Sequence, residues 1–424
     1  MSQAIALIDG NNFYVACEQS LDPSLVGLPV VVLSNNDGCI VARSPEAREL
    51  GIPMGQPYFK VRYELEKLGV VVRSSNYALY GDMSNRFMKL LTQHSEEIEV
   101  YSIDEAFVQI NRPPDSNLRP WARQLRALAH QNLGLPIAIG IGASKVQAKL
   151  ANHLAKNIST HTGIFDLYTN KDQDFWLKTI AIENVWGIGP QLAKWCRIRG
   201  VNTAQELRDM PNNEIRNKLG VIGIRLQNEL KGKACLPIQI ISPPKQEVCV
   251  SRSFGRPVTN LRELRQAIST HIVRASEKLR RQKQHAGAIT VFTRTNPFKP
   301  SFYSQSATTQ LEVASNDTSI LLKASLPLTK QIFQPYRCLI KAGVIMQQLQ
   351  NSDYLQTSLL CLYTPEELRR RQRLMNTIDQ LNKRYGNGTI GWAACVPKPN
   401  WEMRREQLSY AQTTRIIEIP IVHS

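Results

Sequence analysis

Several things missing from this 424-residue sequence narrow what it can be. It has no run of 18 apolar residues, and its N-terminus lacks the basic-then-apolar pattern of a secretory signal, so neither a membrane-spanning nor an exported protein is expected. The eight cysteines are scattered without any C-x-x-C spacing, which argues against a zinc site and against a disulfide framework. They read as reduced thiols of a cytoplasmic protein. There are no internal repeats and no low-complexity tract. Acidic residues are scarce: 35 Asp and Glu stand against 52 Lys and Arg, a net charge of +17 with a pI near 9.6. A polyanionic partner follows, either nucleic acid or an anionic membrane surface, and the lack of an apolar run weakens the second. A hydrophobic content of 42% excludes a disordered chain, and the length exceeds one ordinary core, so two to four domains are expected.

The positive charge is concentrated. Between Lys245 and Lys341, 16 Lys and Arg face five acids, a net of +11 in under a quarter of the chain. Solvated charged faces mix signs, whereas this block has the character of a nucleic-acid grip. Within it Arg252, Arg274, Lys278, Arg280 and Arg281 are candidate DNA contacts.

The most informative chemistry lies in two short segments. Ala4-Ile5-Ala6-Leu7-Ile8 is an apolar run ending on Asp9, and Tyr101-Ser102-Ile103-Asp104-Glu105-Ala106-Phe107 sets two adjacent carboxylates in a strand-like stretch. Carboxylates at buried strand ends cost free energy unless a cation compensates them. Converging Asp9, Asp104 and Glu105 would make an all-oxygen cage for Mg²⁺, suited to phosphoryl or nucleotidyl transfer. The competing reading is a pair of hairpin-turn acids facing water.

Ala4–Ile8, Val100–Ile110 and Ile137–Ile141 read as strands, with helical periodicity over Leu118–Asn132 and Lys145–Asn157. This order suggests an α+β domain with a small antiparallel sheet. In the second helix Lys145, Lys149 and Lys156 share a stripe beside Val146, Leu150 and Leu154. Such a row can face a triphosphate or a DNA backbone, or simply water. Val185-Trp186-Gly187-Ile188-Gly189-Pro190 fits a helix-hairpin-helix whose backbone N–H groups at Gly187 and Gly189 approach a phosphate, with Lys194 nearby; a plain interhelical turn is the alternative. Pro237 through Pro244 reads as a linker, and a short helical segment is expected around Glu366–Leu381.

Six ordered stretches carry a resemblance. Asp9-Gly10-Asn11-Asn12-Phe13-Tyr14, Ser34–Ser44 (SNNDGCIVARS), Ser74–Arg86 (SSNYALYGDMSNR), YSIDEAF, Ala148–Lys156 (AKLANHLAK) and VWGIG follow one another, and Lys245–Gly255 (KQEVCVSRSFG) opens the basic block. Together the sequence resembles the Y-family translesion DNA polymerases, and within them the UmuC branch. The resemblance implies a multidomain α+β right hand. It has a ferredoxin-like palm (1–13 and 80–169), small fingers (14–79), a helical thumb with the helix-hairpin-helix (170–237) and a linker (238–246). An α+β little finger (247–350) and a C-terminal partner-binding region (351–424) complete it. It implies two Mg²⁺ per active site, with Mn²⁺ able to substitute, held by Asp9, Asp104, Glu105 and the Gly10 carbonyl. Tyr14 becomes the steric gate against ribonucleotides, and Arg48 and Lys156 become triphosphate contacts. Pro45 departs from relatives that place a tyrosine there. The implied activity is low-fidelity synthesis opposite damaged bases in SOS mutagenesis. The implied partners are primer-template DNA, deoxynucleoside triphosphates, a UmuD-type accessory dimer, a recombinase filament and a sliding clamp. For the clamp, Leu359-Leu360-Cys361-Leu362-Tyr363 lacks the leading glutamine of the usual motif. A catalytically silent DNA-binding factor with this fold is the rival. A helix-hairpin-helix nuclease is another, but it would need a water-activating base that the sequence does not offer.

Overall fold

The computed structural model describes residues 3–95, 97–111, 117–158, 163–241, 243–351, 364–386, 388–395, 399–410, 413, 418 and 419. The chain forms two compact units, one of Met1–Ser34, Gly38–Ser242 and Gln407–Ser424, the other of Asn35–Asp37 and Pro243–Glu406.

The first unit is built on β1 (Gln3–Gly10), whose apolar residues are buried on both faces as a central strand requires. With β2 (Val30–Leu33), β3 (Ile40–Arg43), β4 (Val71–Ser74), β5 (Glu97–Val100), β6 (Glu105–Asn111), β7 (Ile137–Gly142) and β8 (Ile164–Asp166) it makes two sheets. The larger has the order β5-β6-β1-β7-β8 and the smaller β3-β2-β4. Every pair in the larger sheet is antiparallel except β7 with β8. The expected single strand over Val100–Ile110 is instead a hairpin of β5 and β6, turning through Tyr101–Asp104. Ser102 causes the break: its hydroxyl accepts from the Glu105 N–H at 3.0 Å and donates to Asp104 at 2.6 Å, a local side-chain turn that competes with the strand ladder.

The Lys145–Asn157 helix lies directly on this sheet because β7 has no side chains to hold it away at two points. A Cβ at Gly140 would sit 2.0 Å from the Asn152 nitrogen, and one at Gly142 2.6 Å from the Ala148 nitrogen. Ser144 caps the helix by accepting from the Gln147 N–H. Helices Pro190–Ile198, Ala204–Asp209 and Asn212–Leu230 follow, the last kinked where Gly220 takes φ +61°.

The second unit holds an antiparallel sheet of β9 (Val248–Val258), β10 (Gln284–Arg294), β11 (Ser304–Ser315) and β12 (Leu339–Asn351), in the order β11-β10-β12-β9. Helices Leu261–Arg281 and Thr318–Ile332 bury their apolar stripes in its core. This unit continues past the expected boundary at residue 350 to Glu406. A longer helix than expected, Pro365–Tyr385, starts at a Thr364/Glu367 capping box. It is fixed to the unit by Arg371 on Asp317 and by Asp379 on Arg280, and Met375 is buried. Trp401 then enters the core against Phe254. No helix among the described residues is long and apolar enough to cross a membrane.

Candidate active site

Antiparallel register places Asp9, near the end of β1, directly opposite Glu105, the first residue of β6. Asp104 is tied to the same end of the sheet, because its carbonyl accepts from the Gly10 N–H at 2.9 Å. Asp9 is 7% exposed, and its carboxyl is pushed up to about 7 by burial, with the neighbouring Glu105 adding to the rise and Lys156 opposing it.

The lysine row runs along these acids. Lys156 Nζ lies 2.5 Å from Asp9 Oδ1, and Lys149 Nζ lies 3.1 Å from Glu105 Oε2. Lys145 pairs with Glu99 and donates to the Pro237 carbonyl at 2.8 Å, pinning the start of the linker. Lys149 also sits over the rings of Tyr101 at 4.3 Å and Trp186 at 5.4 Å. The sequence leaves this row facing a triphosphate, a DNA backbone or water; in the structure each of the three ammoniums pairs with a carboxylate.

Among the described residues no three acids converge as a ready cage. Asp104 is held by Ser102, Glu105 by Lys149 and Asp9 by Lys156, because close carboxylates repel and each takes its own partner. The donor set nevertheless fits a hard divalent cation. It consists of oxygens alone, and Asp9 is buried directly opposite a second carboxylate, Glu105.

Tyr14 stands beside this centre, half-buried, its ring stacked on Tyr80 at 4.4 Å and 15° with Tyr77 edge-on at 6.2 Å. Its hydroxyl is held above the ordinary range by burial first, then by the Tyr77 and Asp104 charges. Arg48 is exposed on the short Pro45–Glu49 helix. Gly187, at φ +94°, and Gly189 have open space around the position of a Cβ, so the backbone of this turn is accessible; Lys194 is exposed on the helix that follows.

In the second unit Arg252, Arg274, Lys278 and Arg281 are exposed. Lys278 is held below its ordinary value by burial and then by Arg252 and Lys245, with Arg274 adding to the effect, as in a surface crowded with cations. Arg280 leaves the predicted DNA-contact set. Its side chain is 5% exposed and forks onto both oxygens of Asp379 at 2.7 and 2.8 Å.

Sequence reasoning overlooked Ser102 as the residue holding Asp104, although a serine two before an aspartate is a recognisable turn signal. It had Lys149 in the lysine row but not in the site.

The profile of the impB/mucB/samB family matches residues 8–153, and that of the impB/mucB/samB family C-terminal domain matches 245–359. The chain is 38% identical to Protein UmuC of Salmonella typhimurium, over 98% of this chain and 99% of that one. The chain belongs to the impB/mucB/samB family. A domain of unknown function (DUF4113) matches residues 372–422. Protein MucB of Escherichia coli is 36% identical over the same shares. A solved Y-family DNA polymerase chimera of Dbh and Dpo4 superposes with a TM-score of 0.67 at 20% identity, covering 82% of this chain and 99% of the chimera, which establishes the shared fold. This member of the family is accordingly a DNA-directed DNA polymerase of the Y-family, UmuC type, a translesion enzyme.

Proposed function

We propose that the ends of β1 and β6 form the nucleotidyl-transfer centre of this polymerase, with Asp9, Asp104 and Glu105 as cation-holding carboxylates and the Gly10 carbonyl as a further donor. The observation that carries this reading is the opposition of a buried Asp9 to Glu105 across the strand pair. Mg²⁺, two ions per site with Mn²⁺ as a substitute, supplies when bound the activation of a primer 3′-hydroxyl and the neutralisation of a triphosphate.

The protein's own groups do the rest. Lys156 has an anion to exchange: an incoming triphosphate competes with Asp9 for its ammonium, which draws the nucleotide to the carboxylates. Arg48, on its short helix, is a further contact to the triphosphate. The Tyr14 ring leaves no room for a ribose 2′-hydroxyl, so sugar selection is steric. Gly187 and Gly189 give backbone N–H groups to a DNA phosphate with Lys194 adding charge, while Arg252, Arg274, Lys278 and Arg281 neutralise the backbone without reading sequence. The sheet β3-β2-β4, of four-residue strands, supports small fingers that enclose the nascent pair loosely, so damaged bases fit and fidelity is low.

The substrates are primer-template DNA and deoxynucleoside triphosphates, and the setting is SOS mutagenesis in the cytoplasm. A UmuD-type dimer, a recombinase filament and a sliding clamp are the further partners. The clamp segment Leu359–Tyr363 lies outside the described residues. Primer extension on templates with and without an abasic site tests the reading. Insertion opposite the lesion should require a divalent cation and disappear in Asp104→Ala, whereas near-normal extension by that variant overturns the carboxylate assignment.

A further inference from the structure

Behind Tyr14 lies a hydrogen-bonded chain that the transfer chemistry does not use. Tyr80, on which the Tyr14 ring stacks, is fully buried and donates its hydroxyl to Glu18 Oε1 at 2.7 Å. Glu18 is 2% exposed and takes a second hydrogen bond, from the Ser409 hydroxyl, at 3.1 Å. Ser409 belongs to the segment matched by the domain of unknown function, more than 300 residues further along the chain. Its hydroxyl also accepts from Asn76 Nδ2 at 3.0 Å, and Asn76 caps the helix that carries Tyr77 and Tyr80. Two residues earlier Gln407 pairs with Ser74, its carbonyl accepting from the Ser74 N–H at 2.8 Å and its own N–H donating to Ser74 Oγ at 3.0 Å.

A buried carboxylate held by hydroxyl groups is expensive, so its presence calls for a purpose. We infer that Glu18 and Tyr80 are positioning residues for the Tyr14 gate, and that the C-terminal segment Gln407–Ser409 clamps them, so that selection of deoxyribose over ribose depends on the tail of the chain. The physical route is short. An aromatic ring stacked on one side is fixed in tilt by its support, and that support is fixed by its hydroxyl. If Glu18 loses its second hydrogen bond or Tyr80 its first, the Tyr14 ring gains freedom to swing from the place a 2′-hydroxyl would occupy. This rests on reading Tyr14 as the sugar gate.

The test is single-nucleotide insertion by the full-length protein, comparing kcat/KM for dATP and ATP opposite template thymine. Tyr14→Ala reports on the gate itself. Tyr80→Leu, which removes both stack and hydroxyl, should relax the sugar ratio about tenfold, the worth of one such interaction. Tyr80→Phe and Glu18→Ala should relax it roughly threefold, and Ser409→Ala about twofold, each being a partial loss of one hydrogen bond. Glu18→Gln keeps both hydrogen bonds and should restore the parental ratio. In Tyr80→Leu, Tyr80→Phe, Glu18→Ala and Ser409→Ala the change should fall on ATP, with dATP insertion nearly constant, which a general loss of stability would not produce. Ser409→Ala and Tyr80→Phe preserve packing and stand in if Tyr80→Leu fails to fold. Should Tyr14→Ala relax selection while Tyr80→Leu, Glu18→Ala and Ser409→Ala leave it unaltered, the positioning role is overturned and the gate stands. Should Tyr14→Ala itself change nothing, the gate reading falls and this inference with it.

Discussion

Two cationic helices in this molecule use their charge in opposite ways. On Lys145–Asn157, Lys145, Lys149 and Lys156 all turn toward the sheet and pair with Glu99, Glu105 and Asp9. On Leu261–Arg281, Arg274 and Arg281 stay in water with Lys278 beside them, and Arg280 turns inward, to Asp379. The first helix supplies counter-charge to a buried acidic centre. The second presents its charge to solvent. A count of lysines and arginines therefore does not identify a binding surface; what each cation already faces does.

The sharpest way to break this contrast is to remove the acids. Asp9→Ala and Asp104→Ala should lower nucleotide insertion by about a thousandfold or more, since the cation-assisted step is lost. Primer-template affinity, measured by anisotropy, should stay near parental, because DNA binding draws on the other helix. A parallel collapse of binding would show that the two functions are not separated.

The second experiment compares exposed with inward cations on Leu261–Arg281. Reversing Arg274, Lys278 and Arg281 to glutamate should flatten the dependence of log affinity on log salt by about 0.9 for each phosphate that is no longer neutralised. Arg280→Ala should leave that slope alone and cost roughly 2–3 kcal/mol of stability in denaturant unfolding, less than a fully buried pair because Asp379 is 30% exposed. A slope that responds to Arg280 but not to the other three would reverse the assignment.

The Lys145–Asn157 side can be sharpened through pH. The Asp9 carboxyl titrates at about 7 in the folded chain, raised chiefly by burial, against 3.8 in its unperturbed state. Between those values the folded protein therefore binds more protons than the unfolded one, so this group's contribution to stability is present below about pH 4 and lost as pH rises through 7. Without divalent cation, Asp9→Asn should raise the melting temperature at about pH 8, and the gain should be clearly smaller at about pH 5 and vanish only below about pH 4. A gain of equal size at both pH values would mean that burial does not govern Asp9. Lys156→Met, which removes the charge that lowers the Asp9 pKa, should move the loss of stability with rising pH, measured without divalent cation, to higher pH.

The smallest effect belongs to the hairpin turn. Gly187→Ala meets no steric obstacle but puts a Cβ at φ +94°, a cost of about 1 kcal/mol. DNA affinity should fall a few-fold with little change in salt slope, since a backbone interaction rather than a charge is disturbed. A Gly187→Ala protein with parental affinity would make the turn purely structural.

The sequence alone determined the chemical inventory. Asp9, Asp104 and Glu105 at strand ends, Tyr14 close behind Asp9, the lysine row and the +11 block are local patterns, and local patterns survive translation into periodicity and spacing. The family resemblance followed from the same short stretches. Tertiary structure decided what each group faces. Only antiparallel register could set Asp9 opposite Glu105, and only the bare glycines of β7 let a helix bring Lys149 and Lys156 within reach of them. Arg280 and Arg281 are adjacent and alike in sequence; one is bound to Asp379, 99 residues on, and the other is in water. Ser409 reaches Glu18 across nearly the whole chain. Such partnerships lie beyond sequence reasoning because they depend on long-range packing, which closes contacts that no window of neighbouring residues contains.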